Sequence, residues 1–600
     1  MADGDIKTQD NLQDLDKLNE NISKIEALSA RLVAALAEKK PIPQSLQGPG
    51  QELFLKAASA YLSEMVNNPA RIIEHQVGYW GKTLKHYVDA QHRLMHGDMS
   101  PPEDETPKDR RFDNPVWDSN PFFNFIKQQY MMNSEAMETA VGGLSGIEER
   151  DRQRVDYFTR QIIDMMAPTN FLATNPDALQ QAVDTNGESL VRGLENLVND
   201  LEEHHGEMIV NLSDKSAFHL GENIATSKGE VVFRNRMFEL IQYAPTTETV
   251  HRIPLLIFPP WINKYYILDL REQNSFIKWV VDQGYTVFIV SWVNPDESYA
   301  EVGMDEYVEE GFLTAIEQVK EITNEQKINA IGYCIAGTTL SITLGLMKQR
   351  KNHSVRSATF FTTLTDFSDQ GEVGVFLDDD FVDGIEAEAK RTGLMKSLYM
   401  NRTFSYLRSN DLIYKPAIRS YMMGEAPPAF DLLYWNGDAT NLPGKMAVEY
   451  LRGLCQRDEL ATIGFPICGT RVHLSEVSLP LYAIGCETDH IAAWKSSYTG
   501  VQQMGSRNKT FVLSQSGHIA GIVNPPSKKK YGHYTNEDLT LDPQAWKDSA
   551  VFHEGSWWPR WEEWLSTRSG KQIPARVPGD SGRKTLGAAP GSYATVVATV

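Results

Sequence analysis

The chain has 600 residues, of which 41% are hydrophobic, and a net charge of −21 at pH 7. Its length predicts two to four folding units, and the acidic balance argues against non-specific nucleic-acid binding. Four cysteines without CxxC pairing or His/Cys metal spacing exclude a disulfide framework, and they place the protein in a reducing cytoplasm.

The first 215 residues are predicted to be mainly helical. The N-terminal MADGDIKTQD is too polar for a secretory signal. Residues 12–37 repeat leucine and isoleucine at three- and four-residue spacing, as an amphipathic helix does. That helix either packs on its own domain or docks on a partner, and both readings stay open. We predict a helical segment over 1–95, a Pro-containing linker over 96–118 and a helical domain over 119–215.

From residue 216 to 575 the pattern changes to short apolar runs separated by helical stretches. This alternation is typical of a parallel sheet covered on both faces. The runs expected to form strands lie within 231–245, 251–261, 285–295, 327–334, 357–364 and 479–489. The alternation stops over about 366–470, and an insertion of that size predicts a cap or lid. A tail follows over 576–600, and no run of the chain reaches the roughly 18 apolar residues of a membrane-spanning helix.

The segment INAIGYCIAGTTL (328–340) has the layout of a strand, a sharp turn and the start of a helix. An α/β-hydrolase places its nucleophile at such a turn in the pattern G-x-nucleophile-x-G. Here Cys334 occupies the nucleophile position between Gly332 and Ala336, so we predict a slightly tighter elbow. A buried structural cysteine is the alternative, but the strand before Cys334 and the helix after it favour a reactive thiol.

Two further residues complete a predicted catalytic triad, in the chain order nucleophile, acid, histidine. Asp489 follows a predicted strand, and His518 follows another strand and a turn of small residues. Glu487 is a second candidate for the acid but lies closer to the strand. His490, next to the proposed acid, is either a structural residue or part of the pocket.

A thiol nucleophile suits acyl transfer from thioesters, because the acyl-enzyme is itself a thioester and stays activated. In this reading His518 deprotonates Cys334 and later an incoming hydroxyl, and Asp489 orients the imidazole. The backbone N–H of Ile335, directly after the nucleophile, is expected to contribute to an oxyanion hole. The tryptophans of GSWWPRWEEWL (555–565) have helical spacing, and we expect them in the core rather than on a binding surface.

Together these motifs resemble the polyhydroxyalkanoate synthases, over roughly residues 110–595. The segments that carry the resemblance are GYCIAGTT (332–339), PTNFLATNPDAL (168–179), FPPWINKYYILDL (258–270), TTLTDFSD (362–369), LRSNDL (407–412), FDLLYWNGDATNLP (430–443), ETDHIAAW (487–494), SGHIAGIVNPP (516–526), GSWWPRWEEWL (555–565) and APGSYA (589–594). The length and the helical N-terminal region are similar to class I, which acts without a second synthase subunit.

The resemblance implies an α/β-hydrolase fold with a cap and an acyltransferase that polymerises (R)-3-hydroxyacyl-CoA into polyester with release of CoA. It implies Cys334 as the acylated nucleophile, Asp489 as acid, His518 as base, His490 as a pocket residue and Arg408 near the CoA channel. It further implies short C3–C5 monomers such as 3-hydroxybutyryl-CoA, a homodimer, and a cytoplasmic enzyme at the polymer granule surface, with granule-associated proteins as partners. No cofactor or metal is expected.

Two other functions are compatible with parts of the sequence. A thioesterase or lipase-like hydrolase of the same fold would share the triad but pass the acyl group to water. A catalytically idle scaffold would coat polymer granules through its aromatic residues and N-terminal helix. The Cys/Asp/His order argues against the scaffold, and the cysteine together with the large insertion favours transfer over hydrolysis.

Overall fold

A computed structural model of the protein describes residues 20–21, 23–39, 46, 51–67, 78–79, 81–85, 87–88, 108–580 and 582–598. The chain divides into two compact units. One consists of Met1–Leu212 with Ser405–Pro428, and the other of Ser213–Phe404 with Ala429–Val600. The sequence gives no sign that the short segment Ser405–Pro428 groups with the N-terminal unit. The predicted domain limits stay predictions.

Besides the helical residues 23–37 and 81–85, the structure defines the limits of sixteen α-helices of four or more residues, which follow in chain order. They are α1 (Gln51–Asn67), α2 (Val116–Ser119), α3 (Pro121–Gly142), α4 (Glu149–Met165), α5 (Pro176–Asp184), α6 (Glu188–Glu203), α7 (Phe276–Asp282), α8 (Thr314–Thr323), α9 (Ile335–Gln349), α10 (Asp379–Thr392), α11 (Ser397–Leu407), α12 (Asp431–Gly437), α13 (Gly444–Glu449), α14 (Trp494–Gln503), α15 (Pro543–Asp548) and α16 (Trp558–Ser566). Single π-helical stretches occur at Tyr307–Leu313, Asn410–Tyr414, Ile418–Met422 and Tyr450–Gln456.

The first unit is helical where it is described. Residues 20–21 and 23–37 of the predicted amphipathic helix are helical, whereas 12–19 and 22 lie outside the described residues. Residues 96–107 of the predicted linker also lie outside them. The remainder of that linker is ordered structure, because Phe112 and Trp117 are buried in a small aromatic core with Tyr130.

The second unit is built on a central sheet. The strands are β1 (Gly229–Arg234), β2 (Phe238–Tyr243), β3 (Thr249–His251), β4 (Leu255–Phe258), β5 (Val287–Trp292), β6 (Ile328–Tyr333), β7 (Val355–Phe361), β8 (Leu394–Met395), β9 (Leu442–Pro443), β10 (Phe465–Ile467), β11 (Thr470–Val472), β12 (Leu481–Cys486), β13 (Lys509–Ser514), β14 (His533–Thr535), β15 (Val551–His553), β16 (Gln572–Pro574) and β17 (Gly587–Ala588). Among the described residues, eleven of them form one sheet in the order β15-β14-β13-β12-β7-β6-β4-β5-β2-β1-β17.

The middle of this sheet is parallel, from β5 through β4, β6, β7 and β12 to β13. Every residue of β4, β5, β6 and β12 is buried, as expected for strands covered on both faces. The prediction of an α/β-hydrolase fold with an inserted cap is confirmed. Since the strands are parallel, their carboxyl ends lie at one edge, and loops from that edge build the site.

The tryptophans of α16 belong to the core of this unit, as predicted. Trp557, Trp558 and Trp561 are completely buried, and they pack with Phe276 of α7. Their indole N–H groups donate to carbonyl or hydroxyl oxygens, so each of these three buried donors has a hydrogen-bond acceptor. Trp564, on the outer side of the same helix, is only partly buried. In the part of the chain that the structure describes, no helix is long and apolar enough to cross a membrane.

Candidate active site

Cys334 lies at a strained turn between β6 and α9. Its backbone has φ 55° and ψ −124°, a conformation that non-glycine residues rarely adopt. A Cβ added to Gly332 would lie 2.6 Å from the Cα of Gly337, so the strand and the helix approach too closely for a side chain there. Ala336 is completely buried, and its methyl group is accommodated within the elbow. The half-buried thiol of Cys334 is therefore presented by backbone geometry that the surrounding packing enforces.

Hydrogen bonds fix this elbow on both sides. The N–H of Cys334 donates to the carbonyl of Phe361 at the end of β7, at 2.9 Å. The carbonyl of Cys334 accepts from the N–H of Gly337 at 2.8 Å, which begins the first turn of α9. The first N–H groups of a helix have no partner within the helix. Ile335 is the first residue of α9, directly after Cys334, and an oxyanion role for its N–H stays a prediction.

Asp489 follows β12 on a tight turn, and its side chain is fully buried. Its Oδ1 accepts the backbone N–H groups of Ile491 and Ala492, each at 2.8 Å. Its Oδ2 lies 2.7 Å from Nδ1 of His518. The two backbone donors leave the carboxylate one orientation, in which Oδ2 faces the imidazole.

His518 lies on the loop after β13 and is 7% exposed. Burial alone would lower the pKa of the imidazole, but the charges of Asp489 and Cys334 and hydrogen bonds to both outweigh it and raise the pKa to about 10. The hydroxyl of Tyr333, the last residue of β6, donates to the carbonyl of His518 at 3.1 Å. The structure thus brings Cys334, His518 and Asp489 together, and the imidazole of His518 holds its proton more tightly than a free histidine does.

The other predicted site residues lie in different settings. Glu487, the second candidate for the acid, forms an ion pair with Lys547, whereas the carboxylate bound to His518 is that of Asp489. His490 is half-buried on the same turn as Asp489. Arg408 belongs to the first unit, where its exposed guanidinium pairs with Asp411 at 3.1 Å. A contact of His490 with the pocket and one of Arg408 with CoA stay predictions.

An apolar cavity opens in front of the thiol. It offers about 110 Å³ to the centre of a water-sized molecule, and Cys334 and Ile335 form part of its wall. The opposite wall comes from the inserted segment, including Phe376, Met446 and Tyr450. Among the described residues that line it there is no charged side chain. Such a lining excludes water and accepts an aliphatic acyl chain.

The loop 259–264, between β4 and the 3₁₀ turn Tyr265–Leu268, is part of the site that the sequence reasoning missed. Ile262 lines the cavity together with Cys334. In α/β-hydrolases the loop after the corresponding strand supplies the second oxyanion donor. The run FPPWIN carried a usable signal, because two prolines end an apolar strand at that point of the fold.

We find no cluster of three or more His, Cys, Asp or Glu side chains suited to a metal ion within the described part of the chain.

Comparison with known proteins agrees with this architecture. A family profile described as "Poly-beta-hydroxybutyrate polymerase (PhaC) N-terminus" matches residues 108–280, and one described as "alpha/beta hydrolase fold" matches residues 255–525. "Poly(3-hydroxyalkanoate) polymerase subunit PhaC" of Cupriavidus necator is 41% identical over 81% of this chain and 82% of its own. The protein of the same name from Rhizobium etli is 38% identical over 90% of this chain and 86% of its own.

"Poly(3-hydroxyalkanoate) polymerase" of Methylorubrum extorquens is 39% identical over 93% of this chain and 94% of its own. Similarity at this level extends through both the helical unit and the sheet unit. The chain belongs to the poly(3-hydroxyalkanoate) polymerase family and is an enzyme of the acyltransferase type.

Proposed function

We propose that the protein polymerises (R)-3-hydroxyacyl-CoA, with 3-hydroxybutyryl-CoA as the preferred substrate, into polyester with release of CoA through a thioester on Cys334. The observation that carries the proposal is the position of the Cys334 thiol. It lies on a strained backbone turn with φ 55°, beside a buried His518–Asp489 pair and at the wall of an apolar cavity. The choice of a short (R)-3-hydroxyacyl group rests on the resemblance to the family and on the relatives' names.

In the first step the thiolate of Cys334 attacks the thioester carbonyl of the substrate. A new carbon–sulfur bond forms, the bond to the CoA sulfur breaks, and the imidazolium of His518 protonates the departing thiolate. The raised pKa of His518 keeps the imidazole protonated until that transfer. The N–H of Ile335 and an N–H of the loop at Ile262 are proposed to bind the oxyanion.

In the second step the hydroxyl of another hydroxyacyl group attacks the acyl-Cys334 carbonyl. Neutral His518 takes the hydroxyl proton, an ester bond forms and the thiolate of Cys334 leaves. Asp489 keeps Nδ1 as a donor, so that Nε2 is the atom that accepts and returns protons. The exchange of a thioester for an ester makes chain growth favourable.

The lining of the cavity supports transfer over hydrolysis. A hydrolase must bring water to the acyl-enzyme, whereas the walls here are mainly apolar and carry no charged side chain among the described lining residues. We further propose that the enzyme acts without a cofactor, as a homodimer, in the cytoplasm at the surface of polymer granules where granule-associated proteins are its partners.

The test is CoA release from (R)-3-hydroxybutyryl-CoA, with the acyl product separated by size, for the wild type and three variants. We expect high-mass polyester from the wild type and none from Cys334→Ala, while Cys334→Ser folds but polymerises poorly. Cys468 provides a matched control because it is half-buried like Cys334 but lies in the turn between β10 and β11, outside the cavity, and Cys468→Ala should retain polymerisation. Free 3-hydroxybutyrate as the sole acyl product would establish a hydrolase, and polymer from Cys334→Ala would refute the assigned nucleophile.

A further inference from the structure

Lys264 is a buried cation whose partners come from the far end of the chain. Only 3% of the residue is exposed. Its Nζ donates to the carbonyl of Val596 at 2.6 Å and reaches that of Tyr593 at 3.4 Å. Burial lowers the pKa of Lys264, and the charge of Asp438 partly opposes the shift. A buried ammonium costs free energy unless hydrogen bonds replace its water, so this lysine stabilises the fold only while the C-terminal turn covers it.

The C-terminal turn is held in place independently of Lys264. Glu239 of β2 is completely buried and accepts the N–H groups of Ser592 and Tyr593, at 2.8 and 2.9 Å. Arg234 pairs with the same carboxylate. Ala594 lies in the main core of the unit. Residues 592–596 are therefore a docked element that presents its carbonyls to one particular side chain.

On its other side, Lys264 ends the loop 259–264 at the wall of the cavity. Carbonyls of this loop are bound by groups outside it: Pro259 accepts from Trp292 Nε1, Trp261 from the Thr440 hydroxyl, Ile262 from the Thr440 N–H and Lys264 from Trp435 Nε1. In a planar trans peptide unit the N–H points opposite to the carbonyl. Because the Trp261 carbonyl points at Thr440, the N–H of Ile262 in the same peptide unit points away from Thr440.

We propose that Lys264 and the turn 592–596 form a clasp that sets the position of the loop 259–264 and thereby of its oxyanion donor. Lys264 is a positioning residue: it acts through the backbone at Ile262 and touches no reacting atom. This inference rests on the proposed function, since a loop without an oxyanion to bind would need no such precision. A displacement of about 1 Å at a reacting centre lowers a rate by on the order of 10²-fold, and loss of an oxyanion donor costs 10²- to 10³-fold.

Alkylation of Cys334 distinguishes positioning of the loop from general support of the site. Iodoacetamide reacts with the thiolate and needs the imidazole but no oxyanion hole. Lys264→Met should lower kcat for CoA release by on the order of 10²-fold, change KM less than about threefold, and leave the alkylation rate of Cys334 within about twofold of wild type. Lys509 is the matched control, because its Nζ also donates to backbone carbonyls, those of Val501, Gln502 and Met504, away from the cavity. Lys509→Met should leave kcat and alkylation unchanged.

A chain that ends at Ser592 tests the same contact with the lysine in place. It loses the carbonyls of Tyr593 and Val596. As in Lys264→Met, its kcat should therefore fall while the alkylation rate of Cys334 stays near the wild-type value. Because the lysine and the turn act as one unit, adding Lys264→Met to the truncated chain should lower kcat no further.

Three results would overturn the clasp: wild-type kcat in Lys264→Met, a loss of alkylation in proportion to kcat, or losses that multiply in the combined variant. If Lys264→Met does not fold, the kcat and the alkylation rate of the truncated chain test the clasp in its place. Failure of the proposed function has a different signature, namely CoA release that persists in Cys334→Ala.

Discussion

Asp489→Asn should separate the two steps of catalysis. Oδ1 of Asp489 accepts two backbone N–H groups, so the asparagine must keep its carbonyl oxygen there and turn its NH₂ toward His518. That NH₂ group then donates to Nδ1 of His518, from the position of the wild-type Oδ2, which lies 2.7 Å from Nδ1. The imidazole is forced into the tautomer with hydrogen on Nε2, which cannot accept a proton.

The size of the effect differs between the steps. A cysteine thiol without help is about one-tenth ionised at pH 7.5, so acylation of Cys334 should fall only about tenfold. The hydroxyl in the second step has no such intrinsic acidity. Loss of the general base should therefore slow chain extension by about 10²- to 10⁴-fold.

Acylation is measured as CoA release with enzyme in excess over acyl-CoA, and extension as steady-state CoA release with substrate in excess. Glu487→Gln is the control, since Glu487 is paired with Lys547 and both rates should stay at wild-type values. An equal loss in both phases of Asp489→Asn, or a loss in Glu487→Gln, would refute the assignment of acid and base.

Three further predictions concern the elbow, the core and pH. Gly332→Ala should abolish polymerisation, because the added Cβ meets helix backbone at 2.6 Å, whereas Gly517→Ala, whose nearest contact is at 3.5 Å, should retain it; both are read by CoA release. Trp561→Ala should lower the free energy of unfolding in urea by about 3–5 kcal/mol, and the half-exposed Trp564→Ala by clearly less. Since the pKa of His518 is raised to about 10 in the folded state, its contribution to stability is complete below about pH 6.5 and disappears as the pH rises toward 10. Urea titrations across that range should show a decline that His518→Gln lacks.

The grouping of Cys334, Asp489 and His518 could be predicted because each of them follows a strand of recognisable pattern. Short apolar runs identified β6, β12 and β13, and their parallel order places Cys334, Asp489 and His518 at one edge of the sheet. Local sequence thus predicts both the strand and the residue that follows its end.

Other parts of the site could not be predicted, since they depend on contacts between distant segments. Lys264 and Val596 are separated by 332 positions, and neither carries a local pattern that points to the other. The wall of the cavity likewise combines the loop at Ile262 with residues around Met446 and with Ile491. Such pairings follow from tertiary packing, which periodicity in a single sequence does not encode.

The inserted segment has two roles that the geometry ties together. Its side chains, among them Met446 and Tyr450, form the cavity wall opposite Cys334. Its Trp435 and Thr440 also donate hydrogen bonds to the carbonyls of the loop 259–264. The same insertion thus lines the cavity beside Cys334 and binds the carbonyls of the loop 259–264. Under the proposed mechanism, a substitution of Met446 should alter the preferred monomer size without altering the catalytic rate only while Trp435 and Thr440 keep their hydrogen bonds to the loop.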